Sequence, residues 1–148
     1  EYRASERVTV RAAYTSHPGT TLALSLQACG KKVVYCPDSE LPLADEVDTS
    51  NNFERLRQFA LGADLLIYDS HFLPEELSRS RGKGHSSWEA ALRLGMEAGV
   101  RKLCLFHAAM KYPDEQLVAM EAAAQQRAAE EVTSLECSLA REGTAVQL

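Results

Sequence analysis

The sequence contains no long hydrophobic run. A helix that crosses a bilayer needs roughly 18 consecutive apolar residues, and no stretch of the 148 residues approaches that length. We therefore expect no contact with a membrane. The chain also lacks a signal-like start and opens on Glu1, from which we expect a missing upstream segment and a cytoplasmic protein.

Paired cysteines and glycine-rich phosphate motifs are also absent. The four cysteines are widely scattered and form no C-x-x-C pair. This spacing argues against a structural zinc knuckle and favours reduced, mostly buried thiols in a reducing compartment. The chain has no Walker sequence, no dinucleotide-binding glycine fingerprint and no G-x-S-x-G elbow, which weighs against an ordinary nucleotide-binding domain.

Positive charge is in short supply. The chain has 16 Lys and Arg residues against 21 Asp and Glu residues, which gives a formal net charge of -5. Electrostatic binding along a nucleic-acid backbone is therefore not favoured, whereas binding of a small anionic substrate at one local site is compatible with this charge. The length and the 45% hydrophobic content suit one globular domain over residues 1–148.

Hydrophobic periodicity predicts a mixed α/β fold. Short turns separate three alternating segments, residues 7–14, 21–28 and 32–36, which we expect to form consecutive antiparallel strands. Helices and strands then alternate in this order: a helix from Phe53, a strand at 64–68, a short helix at Pro74, a helix opened by a capping box at Ser86, a strand at 101–106, a helix at 114–141 and a strand at 144–148.

Three polar side chains lie where predicted strands begin or end. Asp38 follows strand 32–36, His107 directly follows strand 101–106, and His17 lies in a Pro-Gly turn before strand 21–28. A carboxylate can bridge two divalent cations or help to generate hydroxide from water, and neutral imidazole is a common transition-metal ligand. The alternative is structural: a turn-forming aspartate and hydrogen-bonded histidines at the rim of the sheet.

His85 comes just before a predicted helix start, where unpaired backbone N–H groups favour an anion. Gly82 and Gly84 allow close approach of the backbone, and Lys83 adds positive charge. His85 is therefore a candidate to contact a phosphoryl group and protonate a leaving oxygen. Lys83 and Ser86 are candidates either to contact the substrate or to support the residues that do. Alternatively, Ser86 only caps the helix and His85 faces water.

Asp69 and His71 follow strand 64–68 and reach the same rim of the predicted sheet. They are candidates to orient a ligand imidazole through hydrogen bonds. The alternative is that both are structural residues of the rim.

Four segments of the chain occur in a distinctive order: His17-Pro18-Gly19, then KKVVYCPDSE, then ADLLIYDSHF, and last GKGHSSWEAALRLGMEAGVRKLCLFH. In this order they resemble the carboxy-terminal half of the metallo-β-lactamase superfamily, and most of all its phosphodiesterase and ribonuclease Z-like branch. The GHSS and LFH segments are the most specific parts of the resemblance.

The resemblance implies a role for each candidate residue. His17 would ligate one metal ion, Asp38 would bridge two, and His107 would ligate the second. His85 would be the proton donor that contacts phosphate. Asp69 stands where the branch also has an Asp, and His71 stands where a Gln is more usual.

The superfamily's H-x-H-x-D-H loop does not occur in the 148 residues. The resemblance therefore implies an α/β (α+β) fold that is half of an αββα sandwich, a mixed sheet covered by helices. The amino-terminal half would be absent from this chain, and a missing half or partner chain would supply the other metal ligands. Without that half, we expect the apolar inner face of the first three strands to be exposed.

The function implied by the resemblance is metal-dependent hydrolysis of phosphodiester bonds. Two divalent ions (Zn, or Mn/Fe) would activate hydroxide as the nucleophile, and the acidic charge favours a small substrate such as a cyclic nucleotide. The alternative is a catalytically inactive metallo-β-lactamase-like binding or regulatory module, which the missing loop supports. The Ala-rich helix 114–141 is also compatible with a homo-oligomer.

Overall fold

The computed structural model describes residues 2–5, 7–131 and 134–148. The strands are β1 (Tyr2–Ser5), β2 (Val8–Tyr14), β3 (Leu22–Ala28), β4 (Lys31–Cys36), β5 (Leu65–Asp69), β6 (Lys102–Phe106) and β7 (Glu136–Leu139). The helices are α1 (Asn52–Ala60), α2 (Pro74–Leu77), α3 (Trp88–Glu97) and α4 (Asp114–Glu130), with a 3-10 turn at Ser78–Ser80.

The seven strands form one mixed sheet in chain order, from β1 to β7. Strands β1 to β4 pair antiparallel, whereas β4, β5, β6 and β7 pair parallel. The β3–β4 turn explains the tight antiparallel connection, because Cys29 and Gly30 both have positive φ angles, 53° and 74°, as a type I′ hairpin requires. The parallel pairs instead need the longer crossovers that contain α1, α3 and α4. The mixed α/β sheet predicted from the sequence is confirmed.

Helices cover one face of the sheet. Alternate residues of the central strands point to this face and are almost completely buried: Val34, Cys36, Leu66, Tyr68, Leu103 and Leu105. They pack in one cluster with Leu56 of α1, Leu92 of α3 and Met120 of α4. This layer fixes the central strands and therefore the positions of the loops that follow them.

The opposite face carries apolar side chains that remain accessible. Tyr14, Leu22 and Leu26 are 65%, 42% and 38% exposed. Pairing places Tyr14 opposite Leu22 and Leu26 opposite Val33, so these residues share one face of the sheet. The exposed apolar face that the sequence predicted is confirmed for strands β2 and β3.

The end of the chain differs from the sequence prediction. The predicted helix 114–141 ends at Glu130, and Glu136–Leu139 forms β7 instead; residues 132–133 of that prediction lie outside the described residues. The segment pairs parallel with β6 and buries Cys137 and Leu139, because its alternation fits the edge of the sheet as well as a helical stripe. The predicted strand 144–148 is wrong, since these residues form a turn and irregular chain.

The helix cap departs from the sequence prediction, whereas the cysteines agree with it. The cap of α3 is Ser87, whose hydroxyl accepts a hydrogen bond from the Ala90 amide, so the predicted capping box at Ser86 is wrong by one residue. All four cysteines are free, and Cys29 alone among them is exposed. In the part of the chain that the structure describes, every helix is too short or too polar to traverse a bilayer.

Candidate metal centre

The ends of three parallel strands meet at one edge of the sheet. Asp69 is the last residue of β5, His107 directly follows β6, and Asp38 lies two residues beyond β4. His17 reaches the same edge from the β2–β3 connection, because antiparallel pairing places the start of β3 beside the end of β4. Two hydrogen bonds fix this connection: the Thr15 hydroxyl donates to the Asp38 carbonyl, and the Glu40 amide donates to the Ser16 carbonyl.

All four histidines of the chain gather at this edge. Ring centroids lie 5.4 Å apart for His17 and His85, 4.5 Å for His71 and His85, and 5.0 Å for His85 and His107. Four imidazoles drawn from four separate loops, in a chain that has only four, form a cluster that no single structural requirement of the sheet explains.

Asp38 lies between the two histidines that the sequence predicted as its partners. One carboxylate oxygen is 3.8 Å from Nε2 of His17, and the other is 3.3 Å from Nδ1 of His107. The structure therefore brings His17, Asp38 and His107 together. His17 also accepts a hydrogen bond at Nδ1 from the Gly19 amide, which leaves Nε2 directed towards Asp38.

Asp69 is a fully buried carboxylate beneath this cluster. One oxygen accepts hydrogen bonds from the backbone amides of His71 and Ser86, and the other from the Ser39 amide and from the ring of His85. Burial raises the pKa of Asp69 to about 7, and the three backbone amides oppose this rise. The Asp69 carboxylate is thus held in place by four hydrogen bonds, one of them from the imidazole of His85.

His85 points into the cluster and not towards the start of α3. Its Nδ1 lies 2.7 Å from Oδ2 of Asp69, and this hydrogen bond leaves Nε2 as the ring nitrogen available to a ligand or substrate. Burial lowers the pKa of His85. The two residues form an Asp–His pair in which the carboxylate fixes the orientation of the ring.

His71 holds the backbone that carries His107. Its Nδ1 donates to the carbonyl of His107 at 2.9 Å, and its own carbonyl accepts from the Ala109 amide. His107 has a φ angle of 63°, in the left-handed region that costs about 1–2 kcal/mol for a residue with a Cβ. Burial lowers the pKa of His71, which favours the neutral ring in this role.

Lys83 and Ser86, the two other candidate residues of the loop before α3, have different surroundings from each other. The Lys83 ammonium lies 5.6 Å from the centre of the Phe72 ring. Ser86 is completely buried; its hydroxyl donates to the Ser39 carbonyl and accepts from the Leu41 amide. Ser86 therefore joins two loops behind the cluster.

Sequence reasoning missed Glu40, which accepts hydrogen bonds from the amides of Gly82 and Gly84. Gly82 and Gly84 are the residues that were expected to let the backbone approach a phosphoryl group closely. The only signal was the position of Glu40 two residues after Asp38, and an isolated Glu in a polar loop is ordinarily a solvated side chain.

The donor set fits a divalent cation. Asp38, Asp69, His85 and His107 each offer one ligand atom, and these atoms lie within 4.8 Å of one another. Nδ1 of His107 is buried and, although it lies 3.3 Å from Asp38, has no hydrogen-bond partner among the described residues, which is costly unless a further group satisfies it. Mixed imidazole and carboxylate ligands are those that zinc and similar ions bind. His71, His85 and His107 form a second such group, whereas His17 belongs to neither.

Comparison with known proteins gives a consistent result. Residues 4–108 match the family model of the β-lactamase superfamily domain. The chain is 33% identical over 94 residues to ribonuclease Z of Bacteroides fragilis, an alignment that covers 64% of this chain and 27% of that protein.

Two solved structures have a similar fold. The metallo-β-lactamase fold protein YhfI from Bacillus subtilis aligns with a TM-score of 0.75 and 24% identity, over 96% of this chain and 49% of that chain. The short form of human tRNase Z aligns with a TM-score of 0.68 and 18% identity, over 98% and 45%. The chain thus matches about a quarter of the length of its curated relative and about half of each solved structure.

Proposed function

The chain belongs to the β-lactamase superfamily, and from this membership we propose that it forms the carboxy-terminal part of the active site of a metal-dependent phosphodiester hydrolase. The observation that carries the proposal is the convergence of Asp38, Asp69, His85 and His107 within 4.8 Å. A structural rim would not need two carboxylates and two imidazoles in contact.

Asp38 and His107 are the ligands that we assign to a divalent ion, because their side chains are partly exposed and face each other at 3.3 Å. His17 would join them through Nε2, which faces the other oxygen of Asp38. When bound, zinc or a similar ion would lower the pKa of a water molecule and polarise a phosphoryl oxygen. A second ion would need ligands from outside this chain, as the absence of an H-x-H-x-D-H sequence implies.

His85 would donate a proton from Nε2 to the leaving oxygen of the substrate. Asp69 would hold the ring through Nδ1 and stabilise its protonated form, since the two groups share a 2.7 Å hydrogen bond. His71 would keep the His107 loop in place through the bond from Nδ1 to the His107 carbonyl.

The exposed apolar face of β2 and β3 supports a partner for this chain. We propose that the amino-terminal half of the fold, on the same polypeptide or on another, packs against Tyr14, Leu22 and Leu26. These side chains are more exposed than apolar residues of a sheet that is covered on both faces. That half would bring the remaining metal ligands to the edge where Asp38 and His107 lie.

For the substrate, we propose the phosphodiester bonds of RNA. The support is the 33% identity to a ribonuclease Z, and the net charge of -5 describes only this part of the active site. A small substrate such as a cyclic nucleotide stays a prediction that the same assay tests. The free thiols are compatible with a cytoplasmic location.

The experiment compares Asp38→Asn with Asp45→Asn in the complete protein. Both changes remove one negative charge, but Asp38 lies in the cluster and Asp45 is an exposed loop residue. We would measure bound metal by elemental analysis, together with the hydrolysis of bis(p-nitrophenyl) phosphate, a structured RNA and a cyclic nucleotide. A chelator should abolish hydrolysis, and the added metal should restore it.

We expect Asp38→Asn to lower the amount of bound metal and to lower turnover at least about 100-fold, because a carboxylate ligand is lost. Asp45→Asn should stay within about twofold of the wild type. Full activity of Asp38→Asn would refute the proposal. A complete protein that binds no metal and hydrolyses none of the three substrates would instead favour a non-catalytic binding module.

A further inference from the structure

Glu40 is a nearly buried carboxylate, 8% exposed, in the loop that follows β4. One oxygen accepts a hydrogen bond from the Gly82 amide at 3.0 Å, and the other accepts one from the Gly84 amide at 2.8 Å. Arg81 pairs with the first oxygen at 2.6 Å. Three residues of a neighbouring loop, Arg81, Gly82 and Gly84, therefore converge on one side chain.

The conformation of the glycine loop suits an anion. Gly82 and Gly84 have φ angles of 80° and 87°, which are accessible mainly to glycine. Backbone N–H groups that point into one concave turn bind anions in many proteins, and the amides of Gly82 and Gly84 point to one carboxylate in this way. Here the anion is the carboxylate of Glu40, so the loop is held from within the protein.

Glu40 also ties the loop of His17 to the loop of His85. Its backbone amide donates to the carbonyl of Ser16 at 2.8 Å, next to His17. Its carboxylate holds Gly84, which directly precedes His85. The two loops touch at this point, because a Cβ on Gly84 would lie only 2.2 Å from Cδ2 of His17.

We propose that Glu40 is a positioning residue of the active site. By binding the Gly82 and Gly84 amides, its carboxylate fixes the position of the His85 ring relative to the Asp69 carboxylate and to the His17 ring. The inference rests on the proposed function for its effect on catalysis, whereas its effect on the geometry of His85 can be measured independently.

The experiment uses four variants of the complete protein. Glu40→Gln keeps the side-chain shape but replaces one acceptor oxygen with an amide that repels an N–H donor. Glu46→Gln is the matched control, since Glu46 pairs with Arg81 at 2.8 Å but does not contact the glycine amides. Arg81→Met removes both ion pairs and leaves the Glu40–amide bonds, and Glu40→Ala empties the carboxylate site.

Two measurements are made on each variant. The first is the downfield proton resonance of the His85 Nδ1–H that bonds to Asp69, which does not depend on turnover. The second is kcat for bis(p-nitrophenyl) phosphate, with and without added formate or formamide. Formate can reach the emptied site, because Glu40 borders a surface cavity of about 370 Å³.

We expect Glu40→Gln to shift or broaden the His85 resonance and to lower kcat at least about tenfold, with Glu46→Gln within about twofold of the wild type on both measurements. Arg81→Met should have a smaller effect than Glu40→Gln. Formate should partly restore Glu40→Ala, and formamide should not.

An unchanged His85 resonance in Glu40→Gln would overturn the inference, as would an effect of Arg81→Met equal to that of Glu40→Gln. If the wild-type protein hydrolyses nothing, the proposed function fails, and the resonance of Glu40→Gln still decides the positioning role. If Glu40→Ala does not fold, the comparison of Glu40→Gln with Glu46→Gln decides it.

Discussion

Asp69→Asn tests the buried centre of the cluster with the smallest possible change in shape. The carboxylate accepts four hydrogen bonds, three of them from the backbone amides of Ser39, His71 and Ser86 and one from His85. An asparagine amide has one acceptor oxygen and one donor nitrogen. It can therefore satisfy only one of the two pairs of donors.

The expected loss of stability in Asp69→Asn depends on the best orientation of the new amide. Its oxygen would keep the His71 and Ser86 amides, and its nitrogen would donate to His85 after the ring changes tautomer. The Ser39 amide would then face another donor, and an unsatisfied buried donor costs about 1–3 kcal/mol. Relief of carboxylate burial, the cause of the raised pKa of Asp69, offsets part of this cost. We expect a net loss of about 2 kcal/mol in the free energy of unfolding.

Urea unfolding of the complete protein measures this loss. With a slope of about 2 kcal/mol per molar urea, the midpoint should fall by about 1 M. Turnover should fall at least about 100-fold, because His85 loses the carboxylate that stabilises its protonated form. Asp45→Asn makes the same change of charge at an exposed site and should alter stability by less than about 0.5 kcal/mol.

An Asp69→Asn midpoint equal to that of Asp45→Asn would refute the hydrogen-bond assignment. Normal turnover in Asp69→Asn would refute the role of the Asp–His pair, whatever the midpoint. The two readouts thus separate the structural and the chemical parts of the argument.

Two further changes probe other parts of the molecule. Gly84→Ala should weaken metal binding more than Gly82→Ala in a calorimetric titration. Both glycines have positive φ angles, but only a Cβ at Gly84 would clash with the His17 ring. Equal effects of the two substitutions would contradict this close contact. A hydrogen bond from Arg141 lowers the pKa of Glu121 in the folded protein. The ionised Glu121 therefore stabilises the fold at about pH 7, above its unfolded pKa, and this stabilisation disappears as the pH falls through the lowered folded pKa. Glu121→Gln should accordingly be less stable than the wild type at about pH 7 and equally stable in acid. A difference between wild type and Glu121→Gln that persists in acid would contradict the assignment.

Local patterns predicted the sheet and the positions of the site residues at its edge. Alternation and short turns identified β2, β3 and β4, and the buried run at 64–68 identified β5 within one residue. Because strands end where their apolar pattern stops, the positions of Asp38 and His107 followed directly. These signals depend on a few neighbouring residues and not on the rest of the fold.

The parts that the sequence did not predict depend on contacts between distant segments. Glu40 binds amides 42 and 44 residues further along the chain, and nothing near Glu40 signals that partner. Likewise, the sequence predicts the end of a helix at residues 136–139, because their pattern fits a helix as well as a strand and only pairing with β6 decides between the two.

The arrangement of strands in chain order has a consequence for folding. Each strand pairs with the one that precedes it in the sequence, so the sheet can grow by successive addition, through tight turns between the antiparallel strands and longer helical crossovers between the parallel ones. His107, which follows β6, is then the last of the proposed metal ligands to be placed. We therefore expect a metal ion to bind only after most of the sheet has formed. Metal binding would then stabilise the folded sheet and would not nucleate its folding.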